Sequence, residues 1–410
     1  MTNPRSVLVV GGGVVGLSSA LALRERGLDV LLVDEAPERP PASWGNIGHI
    51  ATEQVAPLAS WPMVLEMPRR LMLVGGPVSF PPTAIATWLP FGLRLLAAGS
   101  PARFAAGKAA LSALLGQALP AWRDRAATLP GPELLKETGH LVVWESPASA
   151  ARGRRGIGVP VTEGVTRHEA TARQSADLST AIARPLAGAM RYAGTGSVAD
   201  PGAVLSALRL AFVEAGGRVE CGRVDADRLA RRETDLVVIA AGVRSKPLMR
   251  AIGHAVPIVA ERGYHIQSAA AAQAWPEDLP PVVFEDRALV VARFASGLRA
   301  TSFVEFTRPD APPDPRKWAR LHAHVAELGL TFGADTTTWH GSRPTLPDYL
   351  PAIGVSSKDR RVIYAFGHQH LGLTLGPITG RIVADLATGE TPQIDLAAFA
   401  IDRFARRRFG

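Results

Sequence analysis

The segment Val7 to Glu35 constrains the fold more than any other part of this chain. A β-branched apolar run, Val7 to Val10, enters Gly11-x-Gly13-x-x-Gly16. A helical stretch follows and stops at Gly27, and a second apolar run, Val30 to Val33, ends on Asp34 and Glu35. Strand, glycine turn, helix, strand and acid in this order make the βαβ unit that holds a dinucleotide. Gly11 permits the tight turn, Gly13 lets backbone approach a pyrophosphate, and Gly16 lets the helix lie close to the strand. The helix N-terminus, with Val14 and Val15, faces phosphate charge. Asp34, 18 residues beyond Gly16, can accept hydrogen bonds from a ribose. The uncharged stretch Ser6 to Leu23 also resembles a targeting segment. Its glycines, its lack of a cleavage signature and its continuation into Arg24-Glu25-Arg26 argue against that.

A chain of 410 residues with 47% hydrophobic residues has enough material for two domains or one elaborated α/β unit. No transmembrane helix is expected elsewhere in the chain. The only cysteine, Cys221, excludes a disulfide framework and a cysteine-ligated cluster, fits a reducing cytoplasm, and reads as a core thiol. No metal site is expected. The formal charge of +8 is scattered, and its one tight run is Arg406-Arg407-Arg408, read as a solvated tail with membrane-surface contact as the alternative. No basic stripe is interleaved with aromatics, so nucleic acid is not an expected partner.

Residues 37–62 are rich in Pro, Gly, Ser and Asn and read as a long functional loop. Seven prolines break residues 61–118 into short helices. The apolar part, 61–96, is read as packing inside a second domain, with lipid contact as the alternative. Asp200-Pro201 opens a helix that Gly216-Gly217 ends. The strands Arg218 to Val224 and Asp235 to Gly242 follow, so a βαβ-like unit returns around 196–245. Residues 257–307 alternate as antiparallel strands, and a strand at Arg361 to Phe366 leads through a glycine loop into a helix from about Leu373 to Thr388. The expected fold is therefore α/β: a discontinuous Rossmann-like domain (1–85, 196–256, 340–410) with an inserted α+β substrate domain on an antiparallel sheet (86–195, 257–339).

Four further motifs carry chemistry. Ala42-Ser43-Trp-Gly-Asn46-Ile-Gly48-His49-Ile50-Ala51 offers hydroxyl, amide and glycine groups in a loop. Asp235 to Gly242, with Ala241 at its end, is a buried-type strand closing on small residues, and Val224 ends the strand before it. Gly341-Ser-Arg343-Pro-Thr-Leu-Pro-Asp348-Tyr349-Leu-Pro351-Ala-Ile-Gly354 sets an arginine in a proline-rich frame. Tyr364-Ala-Phe-Gly367-His368-Gln-His370-Leu371-Gly372-Leu373-Thr374 opens the last helix. Glu261-Arg262-Gly263-Tyr264-His265 is a fifth, weaker stretch.

Taken together, these motifs resemble the D-amino-acid oxidase and dehydrogenase family of FAD enzymes. The resemblance spans nearly the whole chain. It is closest to bacterial D-amino-acid dehydrogenases, and within them to D-hydroxyproline dehydrogenases. It implies a glutathione-reductase-like FAD domain. It also implies FAD contacts from Gly11, Gly13, Val14, Val15, Gly16, Asp34, Glu35, Ser43, Asn46, Gly48, His49, Ile50, Val224, Ala241, Gly242, Gly367, Leu371, Gly372, Leu373 and Thr374. Arg343 would grip a substrate carboxylate, a task suited to its planar fork, with a surface or structural ion pair as the alternative; Tyr264 and His370 are further substrate contacts, Tyr264 reading equally as a sheet residue with a capped hydroxyl. His49, Tyr264 and His370 are the acid–base candidates, although no obligate base is required. Ile47 stands where relatives have alanine, and Tyr349 replaces the usual glycine after Asp348, a change expected to narrow the entrance or alter the turn.

The implied reaction is hydride transfer from Cα of a D-amino or imino acid to the flavin, with D-proline or D-hydroxyproline yielding a 1-pyrroline-2-carboxylate. A broad D-amino-acid or glycine/sarcosine-type oxidase, an NAD-linked dehydrogenase and a non-catalytic flavoprotein subunit are the alternatives. Expected partners are the amino-acid substrate and a quinone or carrier protein as electron acceptor. The partner list leaves room for a hetero-oligomer and for peripheral contact at the inner face of the cell membrane.

Overall fold

The computed structural model describes residues 5–35, 40–157 and 161–405. The terminal arginines Arg406 to Arg408 lie outside them. The two apolar runs of the fingerprint, Ser6–Val10 and Asp29–Asp34, pair in parallel, and the strand Leu236–Ile239 joins Ser6–Val10 on its other side. With Arg218–Cys221, Val362–Phe366 and the antiparallel Ala352–Val355 they make a six-stranded sheet. Its order reverses direction on either side of the first strand, the switch point where α/β sheets hold ligands. The helix Val14–Glu25 packs between this sheet and the last helix, Gly372–Thr388. Gly16 makes the turn compact: a Cβ there would lie 1.8 Å from the Gly11 carbonyl oxygen.

Asp200 caps the helix Pro201–Glu214, its carboxylate accepting from the amides of Gly202 and Ala203. Gly389, with φ of 78°, ends the last helix. Cys221 corrects one expectation. It lies on the edge strand Arg218–Cys221, and its side chain is exposed rather than in the core.

A second, nine-stranded and largely antiparallel sheet contains Val259–Ser268, Gly297–Thr307, Leu289–Phe294, Val282–Phe284 and His140–Trp144 in its middle. Val259–Ser268 is buried along its whole length. The strand Thr337–Thr345 closes one edge of this sheet and crosses the domain border expected at residue 340, so Arg343 belongs to the antiparallel sheet. The helices Pro101–Gly116 and Ala118–Thr128, expected in the second domain, pack instead on the last helix. There the indole of Trp122 donates to the carbonyls of Leu373 and Thr374. A small three-stranded sheet, formed by His49–Ile50, Gly196–Val198 and Leu135–Lys136, lies between these parts in sequence and binds the first loop to them.

The helix Ile85–Ala98 is apolar on two faces. Phe91, Trp88 and Leu95 pack with Phe306 and Val259 against the second sheet. Ile85, Leu89, Leu93 and Leu96, one turn apart on the other face, are exposed. Trp61, Leu65 (80% exposed), Leu73 (94% exposed) and Val74 on the preceding segment are exposed as well. Interior packing therefore accounts for only one face of 61–96. Among the described residues, no helix is long and apolar enough to cross a membrane.

Candidate active site

A cavity of about 1460 Å³ runs from Asp34 and Val224 past the glycine turn to Arg343 and His370. That exceeds the usual size of a single small-ligand pocket and suits a dinucleotide with a substrate beside it. At one end, Gly12 is as necessary as the three glycines of the pattern. A Cβ there would lie 2.5 Å from the Asp34 carboxylate. Gly11, Gly13, Val14, Val15, Asp34 and Glu35 line this end. The Ser43 hydroxyl accepts from the Val14 amide and fixes the next loop to the helix N-terminus. Glu35 is paired with Arg244 at 3.0 Å.

The loop Ser43 to His49 continues along the cavity. The Asn46 side-chain oxygen accepts from the Gly48 amide at 2.7 Å. Arg299, fully buried in the second sheet, donates to the carbonyls of Trp44 and Asn46 and to the Gln267 side chain. It bolts this loop to the sheet across more than 250 residues of chain, and nothing in the sequence marked it. Trp339 lies against the missing Cβ of Gly45, and its indole nitrogen has no hydrogen-bond partner among the described residues. Gly372 and Leu373, at the start of the last helix, form the opposite wall together with Ala241 and Gly242. Gly16, Gly48, Ile50, Gly367, Leu371 and Thr374 do not line the cavity. They shape it from behind, Thr374 by accepting from the Ala51 amide at 3.0 Å.

At the far end Arg343 projects from Thr337–Thr345 into the cavity. Its Nη1 donates to Glu261 Oε1 at 3.3 Å and to the Phe303 carbonyl at 3.2 Å. Glu261 is buried, and its other oxygen accepts from Thr345 and from the Tyr349 hydroxyl. Tyr349 therefore braces the arginine's counter-ion instead of narrowing an entrance. Burial beside Glu261 pushes its phenol well above the ordinary range. A local slip in the ladder makes room for the fork. Between Arg262 and Tyr264 the register with Gly297–Thr307 shifts, and Phe303 takes φ of 74°. Gly263 then presents no Cβ to the guanidinium, whose Nη2 would lie 2.5 Å from one.

Tyr264 is not at the site. Its strand is covered on both faces, and its hydroxyl points away from the cavity, donating to Glu305 at 2.6 Å and accepting from the Asp314 amide. Burial and Glu305 push it up to about 12. His370 does line the cavity. Burial, with Arg343 and His49 nearby, pushes its imidazole down to about 3, and Nε2 meets the side-chain oxygen of Gln54. His49 lines the cavity too, 3.5 Å from Glu53, with the His140 ring tilted against it at 4.3 Å between centroids. Glu53, Gln54 and His140 escaped the sequence reading. The only available signal was a pair of polar residues following the His49 motif and a histidine opening an apolar strand.

A model of FAD-dependent oxidoreductases (the DAO family) matches residues 6–386. The chain belongs to that family. It is 31% identical to a D-amino-acid oxidase of Bradyrhizobium diazoefficiens over 98% of this chain and all of that one. It is 32% identical to a D-amino acid dehydrogenase 2 of Pseudomonas aeruginosa over 95% of this chain and 96% of that one. Among solved structures, glycine oxidase from Geobacillus kaustophilus superposes with a TM-score of 0.70 at 20% identity, covering 97% and 99% of the two chains. L-proline dehydrogenase from P. horikoshii superposes at 0.68 and 16% identity, covering 99% of each. The chain is thus an FAD-dependent oxidoreductase, and the mixed α/β architecture is that of its family. The packed glycine turn of Gly11, Gly12 and Gly16, the Trp339 indole nitrogen with no hydrogen-bond partner among the described residues, and the size of the cavity all fit that cofactor.

Proposed function

We propose that this FAD-dependent oxidoreductase oxidises a cyclic D-imino acid, D-proline or D-hydroxyproline, to a 1-pyrroline-2-carboxylate. The observation that carries the reading is the Arg343 fork, held from behind by Glu261 and the Phe303 carbonyl and open to the cavity in front. A guanidinium so placed binds a carboxylate and fixes its angle. Pro281, Val142, Val283 and Val290 give the same cavity an apolar side, which suits the methylenes of a ring. The relatives' names, D-amino-acid oxidase and D-amino acid dehydrogenase, support the substrate class.

In this reading Asp34 and Val224 hold the adenosine end of FAD. Gly13, Val14, Val15 and Ser43 hold the pyrophosphate, and Asn46, His49, Gly372 and Leu373 border the ring. FAD, when bound, supplies the acceptor for the hydride leaving substrate Cα. The chain itself orients the carboxylate, excludes water along the apolar wall, and presents neutral His370 with Gln54 as polar contacts. Positioning of this kind supplies most of the rate. The cofactor unit is the six-stranded sheet with its packed helices, including 101–128, and the substrate unit is the antiparallel sheet.

The exposed apolar face of 61–96 supports a cytoplasmic enzyme that touches the inner face of the membrane, where a quinone or carrier accepts electrons. An anaerobic screen tests the reaction. Bleaching of the flavin spectrum is expected with D-proline and cis-4-hydroxy-D-proline, and less with D-alanine. Preference for glycine or sarcosine sinks the ring assignment, and no bleaching with any amino acid points to a non-catalytic subunit. Admitting oxygen afterwards distinguishes an oxidase from a dehydrogenase.

A further inference from the structure

We propose that His49, Glu53 and His140 form a site for a divalent transition cation of the zinc type, opening on the same cavity as Arg343. Each of the three offers one ligand atom, and these atoms lie within 4.8 Å of one another. His49 Nε2 and Glu53 Oε2 are 3.5 Å apart, close to the roughly 3.4 Å that separates two ligands on a tetrahedral ion with 2.0–2.1 Å bonds. That spacing does not make a hydrogen bond. Both atoms are buried and have no hydrogen-bond partner among the described residues, although their side chains are only 10% and 9% exposed. The two atoms stand at ion-pair distance without a hydrogen bond, and a cation between them would satisfy both.

His140 completes the set. It opens the strand His140–Trp144 and is buried against Tyr192, the rings stacked at 4.4 Å. Its Nδ1 is engaged by the Thr195 hydroxyl at 3.2 Å, which leaves Nε2 as the free ligand atom. A second partner of this kind fixes ring angle and tautomer in metal-ligating histidines.

Two imidazoles and one carboxylate suit zinc, iron(II) or cobalt and exclude magnesium and calcium, which take oxygen donors. Three protein ligands leave a tetrahedral ion one position short. All three residues line the cavity, so water or a donor atom of an amino acid there could complete the set.

Zinc binding by the FAD-loaded protein tests this directly. Chelator-stripped protein is dialysed against buffered Zn²⁺, and metal per chain is measured by mass spectrometry, with flavin content and circular dichroism as folding controls. The expected result is one zinc per chain, with the dissociation constant raised at least tenfold in Glu53→Gln and in His140→Gln. Thr195→Val keeps all three ligands and removes only the partner of His140. It should weaken zinc 10–100-fold, and Thr195→Ser should restore it. Substoichiometric zinc in the wild type, or unchanged affinity in both Glu53→Gln and Thr195→Val, overturns the assignment. Because the measurement needs no substrate, it stands apart from the imino-acid reading.

Discussion

Replacing Gly263 by alanine separates the position of Arg343 from its chemistry. The new Cβ would lie 2.5 Å from Arg343 Nη2 and 2.9 Å from Cζ, where ordinary contact begins at 3.4 Å. Gly263 does not use a left-handed φ, so alanine imposes no backbone strain. The clash falls on the free end of a flexible side chain, which must retreat by about 1 Å. Overpacking of this sort costs on the order of 1–3 kcal/mol of stability at most, and the guanidinium keeps its charge. Displacing a substrate clamp by about 1 Å costs roughly 100-fold in efficiency, or about 2.7 kcal/mol. Steady-state turnover of D-proline with a dye acceptor, run over a range of substrate concentrations, gives kcat and KM separately. The expected result is a kcat/KM lower by about two orders of magnitude, with flavin content retained. The same assay with a ring amine lacking the carboxylate should show no difference between variant and wild type. If Gly263→Ala stays within threefold of wild type for the acid, the fork does not hold the carboxylate.

Tyr349→Phe removes one of the donors to buried Glu261 and should cost about 1.5–3 kcal/mol, read as a lower melting temperature with the flavin spectrum intact. Burial holds His368 at about 3 in the folded chain, against roughly 6.5 when unfolded. Its contribution is therefore complete above pH 6.5 and is lost as pH falls toward 3, because only the unfolded chain takes up the proton. Between pH 6.5 and 5 this amounts to about 2 kcal/mol, and urea midpoints at pH 7.5 and 5 should show a shallower loss in His368→Gln. Vesicles containing anionic lipid should co-sediment the protein in a salt-sensitive manner, and Leu89→Ser with Leu93→Ser should lower binding at least tenfold. No co-sedimentation with either kind of vesicle, or no effect of the two substitutions, refutes the membrane contact.

Local pattern carried the first sheet well. The fingerprint, the Asp200 cap and the Gly389 stop are decided within a turn or two of chain, where steric and hydrogen-bonding rules act alone. Tyr264 shows where pattern fails. Alternation assigns a face only when one face meets water, and Val259–Ser268 is covered on both, so residue parity could not tell pocket from core. Cys221 was misread for a related reason, since an apolar neighbourhood does not reveal that a strand ends at a sheet edge. Arg299 and His140 reach the site through pairings with residues far away in the chain. One such pairing is the parallel register of Leu141 with Val282, which no local signal encodes. Arg343 was legible because its proline-rich frame is itself local, yet its counter-ion Glu261 and the role of Tyr349 were not.

The ladder slip beside Gly263 has a consequence for how this enzyme could change its diet. The proposed carboxylate grip is part of the register of three strands, and moving it by one residue would turn every side chain of a strand to the opposite face. The grip is thus inherited as a unit with the sheet. Val142, Val283 and Val290, on strands of the same sheet away from the slip, carry no such burden, because each valine can be enlarged or trimmed without touching it. Selection, natural or in the laboratory, has a fixed handle at one end of the substrate and an adjustable mould at the other.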